Sequence, residues 1–287
     1  MPTTIAQGFA KLRENLEITS LQEKTASDRQ IHIRDIVAEE MTVLDSFLTG
    51  SYRRSTLIAP LSDADIDIFV VLHHSYYEQN GHASLLDKVK RALAKHYQTS
   101  AISRDGQAVT IRFTDFAVDV VPGFNRQGGG YLIPDTVGKR WIETDPKKHV
   151  ELWAAMNGNK GGNFVPLVKM LKQWNRAHSQ LLNSFHLECL IYEVFGGYQI
   201  ADFPLCVRFF FERAQGLITN GVKDPAGYGG NVGAYLSTTE KRSEVITRLE
   251  TAKTQAADAQ ALAAAGKIEQ AFWKWQTVFG NYFPAYG

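Results

Sequence analysis

Cysteine is almost absent from this sequence: Cys189 and Cys206 are the only two in 287 residues. Two thiols build neither a disulfide framework nor a cysteine-rich zinc site. An excess of charge of one sign is missing too. Lysine plus arginine number 31 against 30 aspartates and glutamates, a formal net charge of +1. That balance argues against a protein that binds nucleic acid through bulk charge, although it leaves room for a local basic groove. No apolar run reaches ~18 residues, so no membrane-spanning helix is expected. The opening MPTTIAQGFAKLRENLE lacks the apolar core of a secretory signal. There is no internal repeat. What is present is ordinary globular chemistry, 44% apolar and 21% charged, enough for a sizeable core in one large domain or two intimately packed ones. The expectation is a soluble cytoplasmic protein.

The hydrophobic period changes along the chain. Residues 1–24 are polar and read as helical. Ser27 followed by Gln30 has the form of a capping box, and Ile33, Ile36, Val37, Leu44, Phe47 and Leu48 keep helical spacing, which predicts one amphipathic helix over about 28–46. GSYRRSTLIAPLSDADIDIFVVL then alternates. Asp63, Asp65 and Asp67 fall on one side and Ile66, Ile68, Val70 and Leu72 on the other, the period of a strand with one apolar face. Residues 83–97 read as helix. AVTIRF (108–113) and FAVDVVP (116–122) read as two short strands joined at Thr114–Asp115, followed by a glycine-rich loop, GFNRQGGGYLIPD. From about 148 onward the pattern is helical, with a loop at 224–231 and a break at Gly266. The fold class expected is α/β (α+β), with a catalytic core over residues 1–150 and a helical lobe over 151–287.

Three acids on one strand face repel one another, so they do not stabilise a sheet. Two readings fit: a solvated strand edge, or a site for a hard divalent cation, which prefers oxygen ligands. Asp119 favours the second. It sits among Val118, Val120 and Val121, where a carboxylate is costly unless something positive meets it. If its strand lies beside the first, Asp119 faces Asp65 and Asp67, and three carboxylates can clamp two metals ~4 Å apart. Gly50–Ser51, just upstream, lets backbone approach a phosphate closely. Lys169, Lys172 and Arg176 share one helix face, which is either a basic stripe for phosphate or merely a solvated face.

Taken together, G-S, then D-x-D, then h-D-h-h-P resembles the polymerase-β-like nucleotidyltransferases. The longer strings GSYRRSTLI, DADIDIFVVL, FAVDVVPGF, LVKMLKQWN and NSFHLECLIYEVF resemble the cGAS/DncV-like nucleotidyltransferases, the bacterial second-messenger synthases of anti-phage CBASS systems. The resemblance runs from about residue 28 to the C-terminus. It implies a nucleotidyltransferase lobe with a mixed or antiparallel sheet, a helical C-terminal lobe, and an active site in the cleft between them. It makes Asp65, Asp67 and Asp119 the catalytic metal ligands, with two Mg²⁺ (or Mn²⁺) ions as cofactors. It assigns Gly50, Ser51, Arg54, Lys172, Ser184 and Phe185 to nucleotide binding, with Lys172 and Ser184 on phosphate and Phe185 stacking on a base. Arg54 and Thr56 match an R-x-T that supports the phosphate loop. Phe185 stands where the family's S-Y-H motif has tyrosine, which keeps stacking and loses a phenolic hydrogen bond; it is alternatively plain core. Asp63 lies outside the pattern.

The implied reaction joins nucleoside triphosphates into a cyclic di- or trinucleotide and releases pyrophosphate. Substrates would be ATP with another ATP, GTP or UTP, and the product would act on an effector protein. Asn157, Asn159 and Asn163 offer amides that either read a base edge or simply make a turn. With no H…C-C…C cluster and a balanced charge, no nucleic-acid activator is expected. The terminal Gly287 fits conjugation to a target as well as it fits a frayed end. A nucleotidyltransferase that tails RNA or modifies protein shares the metal site, and a nucleotide-binding pseudoenzyme shares the fold.

Overall fold

The computed structural model describes the backbone of residues 1–287 and every side chain except those of residues 20–22 and 105. In chain order the elements are α1 (Ile5–Asn15), α2 (Ser20–Glu40), β1 (Val43–Leu48), α3 (Gly50–Arg53), β2 (Asp65–Leu72), α4 (His82–His96), β3 (Ala101–Asp105), β4 (Ala108–Arg112), β5 (Ala117–Asn125), β6 (Tyr131–Asp135) and β7 (Arg140–Thr144). There follow α5 (Pro146–Asn159), α6 (Phe164–Ala177), α7 (Ser184–Phe195), α8 (Phe203–Asn220), α9 (Thr239–Ala264) and α10 (Ile268–Phe279). The chain forms two compact units, Ile18–Leu152, and Met1–Glu17 together with Trp153–Gly287. The N-terminal helix α1 therefore belongs with the helical unit rather than with the sheet.

The sheet unit is built on the order β1-β2-β5-β4-β3, with β6 and β7 continuing from the second half of β5. β2 and β5 are parallel, while β1 on β2, β4 on β5 and β3 on β4 are antiparallel, so the sheet is mixed. One face is apolar throughout. Ile66, Ile68 and Val70 of β2, Val118 and Val120 of β5, and Val109 and Ile111 of β4 join Ile33, Ile36 and Val37 of α2 and Leu85, Leu86 and Val89 of α4 in one core. Each such side chain contributes roughly 1.5–3 kcal/mol of burial. The other face holds Phe69 and Val71 with Tyr131 and Ile133, against which Phe47 stacks at 5.1 Å from Phe69. That aromatic cluster fills only the second half of β2. The first half, Asp65 and Asp67, carries carboxylates on the same face.

Three expectations need correcting. The predicted helix over 28–46 is α2 followed by strand β1. Leu44, Phe47 and Leu48 have helical spacing, but Phe47 and Leu48 pair with β2 in the register Phe47↔Phe69 and Leu48↔Ile68, and Leu44 falls at the irregularity between Val43 and Asp45; covering the open edge of a buried apolar strand outweighs local propensity. The Ser27–Gln30 pair is no capping box, because α2 starts earlier, and the box that does form is Thr4–Gln7 at α1. Asp63 is not on the strand. It ends a short 3-10 turn, Leu61–Asp63, ahead of β2. Strands β3, β6 and β7 were not anticipated, and the glycine-rich loop shrinks to a turn between β5 and β6. The break at Gly266 is present, with a φ of 75° that suits glycine.

In the helical unit, α6 and α7 carry charge into the core. Lys172 Nζ lies 3.2 Å from Glu188 Oε1, with Glu188 0% and Lys172 8% exposed. A carboxylate this buried stays charged only with such a partner. Removing it leaves Lys172 without this countercharge. Glu188→Ala is expected to cost about 3–5 kcal/mol of stability, the usual loss on breaking a buried ion pair, and Glu188→Gln less, as read by urea unfolding.

Candidate active site

The pleat decides which side chains share the carboxylate face. In the parallel pairing of β2 with β5, Asp67 stands directly beside Asp119, and Asp65 beside Ala117. On the other side of β5, Thr110 stands beside Asp119 and Arg112 beside Ala117. Period-two alternation puts all of these on one face, since Ile66, Ile111 and Val118 go to the helices. The sequence expectation that the two acidic strands are neighbours is met.

Asp119 is a half-buried carboxylate. Burial raises its pKa above the ordinary value; the hydrogen bond from Thr110 opposes this, the charge of Asp65 adds to it, and Arg112 opposes it. Thr110 Oγ1 donates to Asp119 Oδ1 at 2.6 Å. This hydroxyl was not singled out in the sequence, where only its position two residues from Arg112 on an alternating strand marks it.

Gly50 follows directly from that arrangement. Its φ is +61°, and a Cβ built on it would stand 1.7 Å from Asp67 Oδ2. Backbone conformation and space both demand glycine here. The loop is tied to β2 by Thr49 N–H, which donates to the Asp67 carbonyl at 2.9 Å. It is closed by Thr56, whose backbone N–H and hydroxyl reach the Ser51 carbonyl at 2.9 Å and 3.3 Å. Ser51 is half-buried, while Arg54 and Thr56 are buried. The backbone N–H of Arg54 donates to the Gly50 carbonyl at 3.2 Å.

The donor set fits a hard cation: three carboxylates on two adjoining strands and only oxygen donors. Among the described residues, no three acids, histidines or cysteines are already gathered in ligating geometry. The Asp67 carboxylate lies against Gly50 and that of Asp119 is engaged by Thr110.

In the helical unit, the basic stripe on α6 is not a solvated face. Lys169 is 6% exposed and pairs with Glu17 at 2.6 Å; Lys172 pairs with Glu188; Arg176 lies 4.6 Å over the Tyr282 ring. Glu188, like Thr110, is a residue that sequence reasoning missed, because a single acid in an apolar helix carries no periodic signal. Ser184 opens α7. Phe185 is half-buried, with its ring stacked on Trp153 at 6.2 Å and 20°. Two of the three asparagines before α6 are used internally: Asn163 Nδ2 donates to the Ile200 carbonyl at 2.8 Å, and Asn157 Oδ1 accepts from Val165 N–H at 3.0 Å. Asn159 is exposed.

His186, next to Ser184 and Phe185, is structural as expected. It is 2% exposed, shares a 3.0 Å hydrogen bond with the Tyr235 hydroxyl, and its Nε2 is buried without a partner. Tyr235 also accepts from Asn183 N–H at 2.9 Å, just ahead of α7.

A mixed sheet with a D-x-D strand beside a third aspartate, and a glycine loop against the central acid, is the arrangement of a cGAS/DncV-like nucleotidyltransferase. The chain belongs to the Second Messenger Oligonucleotide or Dinucleotide Synthetase domain family, whose model matches residues 3–157. It is 28% identical to a cyclic AMP-AMP-AMP synthase of Acinetobacter over 98% of this chain and 86% of that protein. It is 26% identical to the CBASS oligonucleotide cyclase CdnC of Escherichia coli over 62% of this chain and 56% of that protein. The solved structure of an E. coli CdnC:HORMA-deltaN complex superposes with a TM-score of 0.76 at 19% identity, covering 97% of this chain and 98% of that one. Among the described residues, no helix is long and apolar enough to cross a membrane.

Two expectations follow. Gly50→Ala pushes a methyl into the Asp67 carboxylate. Displacing a catalytic group by about 1 Å can cost on the order of 100-fold, so activity is expected to fall by that order while circular dichroism stays native. Burial also depresses the His186 pKa to about 4 from 6.5. Below 6.5 the unfolded chain takes up a proton there that the folded one refuses. This contribution to stability is full above 6.5 and is lost as pH falls toward 4, at up to about 1.4 kcal/mol per unit. Urea unfolding from pH 7 to 4 should show a shallower loss in His186→Gln.

Proposed function

We propose that this protein condenses nucleoside triphosphates into a cyclic di- or trinucleotide second messenger that acts on an effector protein in anti-phage defence. The observation that carries the reading is the register that sets Asp67 beside Asp119, with Gly50 packed against Asp67. In each round, the 3′- or 2′-hydroxyl oxygen of one nucleotide bonds to the α-phosphorus of another. The bond to the β-phosphate breaks, pyrophosphate leaves, and the hydroxyl proton passes to solvent. A second nucleotide or the far end of the linear product then supplies the next hydroxyl, and the last round closes the ring.

Asp65, Asp67 and Asp119 would hold the divalent cations, two Mg²⁺ or Mn²⁺, whose chemistry when bound is to acidify the attacking hydroxyl and neutralise the departing pyrophosphate. The protein's own share is positioning, as in phosphoryl transfer generally. Gly50 lets the backbone at Ser51 approach the triphosphate, and the Ser51 hydroxyl donates to it. Thr110 fixes the orientation of Asp119. On the helical unit, Lys172 and Ser184 are assigned to phosphate. One face of Phe185 is held by Trp153, which orients the ring for stacking on a base.

The Acinetobacter relative makes ATP the first substrate to try. Purified protein with the four triphosphates and Mg²⁺ or Mn²⁺ should yield a phosphatase-resistant cyclic oligonucleotide by mass spectrometry. Asp65→Ala/Asp67→Ala should abolish it. A linear tail on added RNA, or a nucleotide adduct on protein, would overturn the cyclic product.

A further inference from the structure

The loop between α8 and α9 carries a side chain that the reaction has not used. Tyr235 reaches from this loop to the start of α7. Asn183 N–H donates to its hydroxyl at 2.9 Å, and His186 Nδ1 shares a 3.0 Å hydrogen bond with the same oxygen. Asn183 is the N-cap of α7, and Ser184 and Phe185 are the next two residues. A hydroxyl that only had to be satisfied in the core would need one partner. This one has two, and they flank Ser184 and Phe185.

The other polar groups leading to Ser184 are already held. From α6, the Asn175 side chain takes both backbone groups of Leu182. Its Oδ1 accepts from Leu182 N–H at 3.1 Å, and its Nδ2 donates to the Leu182 carbonyl at 2.6 Å. The Asn183 carbonyl accepts from Leu187 N–H at 3.0 Å as the helix begins. The Asn183 side chain makes no capping bond. Asn183 N–H is the remaining backbone group of this pair, and Tyr235 is its partner.

The loop is shaped to place that hydroxyl. Asn231 Oδ1 accepts from Val222 N–H at 3.3 Å and from Gly233 N–H at 2.9 Å, and Val232 N–H donates to the Val222 carbonyl at 2.9 Å, so the two arms are drawn together. Leu236 N–H donates to the Gly233 carbonyl at 2.9 Å, closing a turn that contains Tyr235. Gly233 lies on the His186 ring, where a Cβ would stand 2.7 Å from Cε1. Any larger residue would push the ring away from Tyr235. Burial raises the pKa of the tyrosine hydroxyl, opposed by the Asn183 bond, and depresses that of His186, so both are neutral near pH 7.

We infer that Tyr235 is a positioning residue for the triphosphate: anchored by His186, its hydroxyl holds Asn183 and so fixes Ser184 before the phosphates arrive. The inference rests on the phosphate role proposed above for Ser184. A donor ordered in the free protein binds without that ordering cost, and its loss appears as affinity.

Tyr235→Phe keeps the ring and removes the hydroxyl alone. Calorimetry with Mg²⁺ and the α,β-methylene analogue of a triphosphate that the enzyme consumes reads affinity without turnover. Ser184→Ala, Tyr235→Phe and the double variant form a cycle. Tyr235→Phe is expected to raise Kd about tenfold. KM should rise with it while kcat changes by less than about twofold, because the contact serves the bound substrate and the transition state alike. In the Ser184→Ala background the same change should add less than about twofold. A merely structural role would lower the urea midpoint and leave Kd unmoved, or shift Kd by the same factor in both backgrounds; either result overturns the inference and leaves the synthase intact. An unchanged Kd in Ser184→Ala removes the phosphate role of Ser184, and this inference with it. A wild type that consumes no triphosphate overturns the proposed function itself.

Discussion

A one-residue slip of β2 against β5 would turn every β2 side chain to the opposite face of the sheet. Ile66, Ile68 and Val70 would turn to the carboxylate side, and Asp65 and Asp67 would be driven against α2 and α4. The apolar core forbids this, because each of those three side chains is fully buried. The register is therefore enforced by hydrophobic burial on one face, and its chemical consequence appears on the other. The same constraint extends to β4, where Val109 and Ile111 lock the strand so that Thr110 meets Asp119. It extends to the loop after β1 as well, since Gly50 must accommodate an Asp67 carboxylate whose position is already set.

The carboxylate face works against the stability of the bare protein. Asp65, Asp67 and Asp119 crowd negative charge at the end of a sheet whose remaining surface is aromatic and aliphatic. The raised pKa of Asp119 is the measure of that tension, with burial as its main cause. Thr110 and Arg112 relieve part of it. Proteins keep such groups where function requires them, and here the core beneath, continuous across three strands and two helices, is what offsets the cost.

What the sequence made legible was what depends on period. Asp65 and Asp67 stood out because acids alternate with Ile66, Ile68 and Val70, and Asp119 because it interrupts a run of valines. Strand β1 was hidden, since Leu44, Phe47 and Leu48 have the spacing of a helix and only their partner strand makes them a sheet edge. Asp63 looked like a third member of the acidic row; the 3-10 turn before β2 takes it off the strand. Gly50 was read as a means of approach to phosphate. Its nearest demand is the Asp67 side chain, a tertiary contact that no local pattern encodes. Glu188 and Thr110 were silent for the same reason: each matters through one partner on another element.

The pairing of Lys172 with Glu188 bears on how this lysine can serve the triphosphate role proposed for it. A solvated lysine on a helix face would attract phosphate at long range but would lose rotamer freedom on binding. Lys172 has already lost that freedom in folding, and its charge is largely balanced by a carboxylate with no exposure to water. Lys169 is balanced likewise by Glu17. The α6 helix therefore offers little net attraction at a distance. In the proposed role, its value to a polyphosphate would be an ammonium donor fixed in direction, for which the ordering entropy was spent when α6 packed on α7. Such a site gains selectivity from geometry rather than from charge, consistent with a chain whose basic and acidic residues are so nearly equal in number.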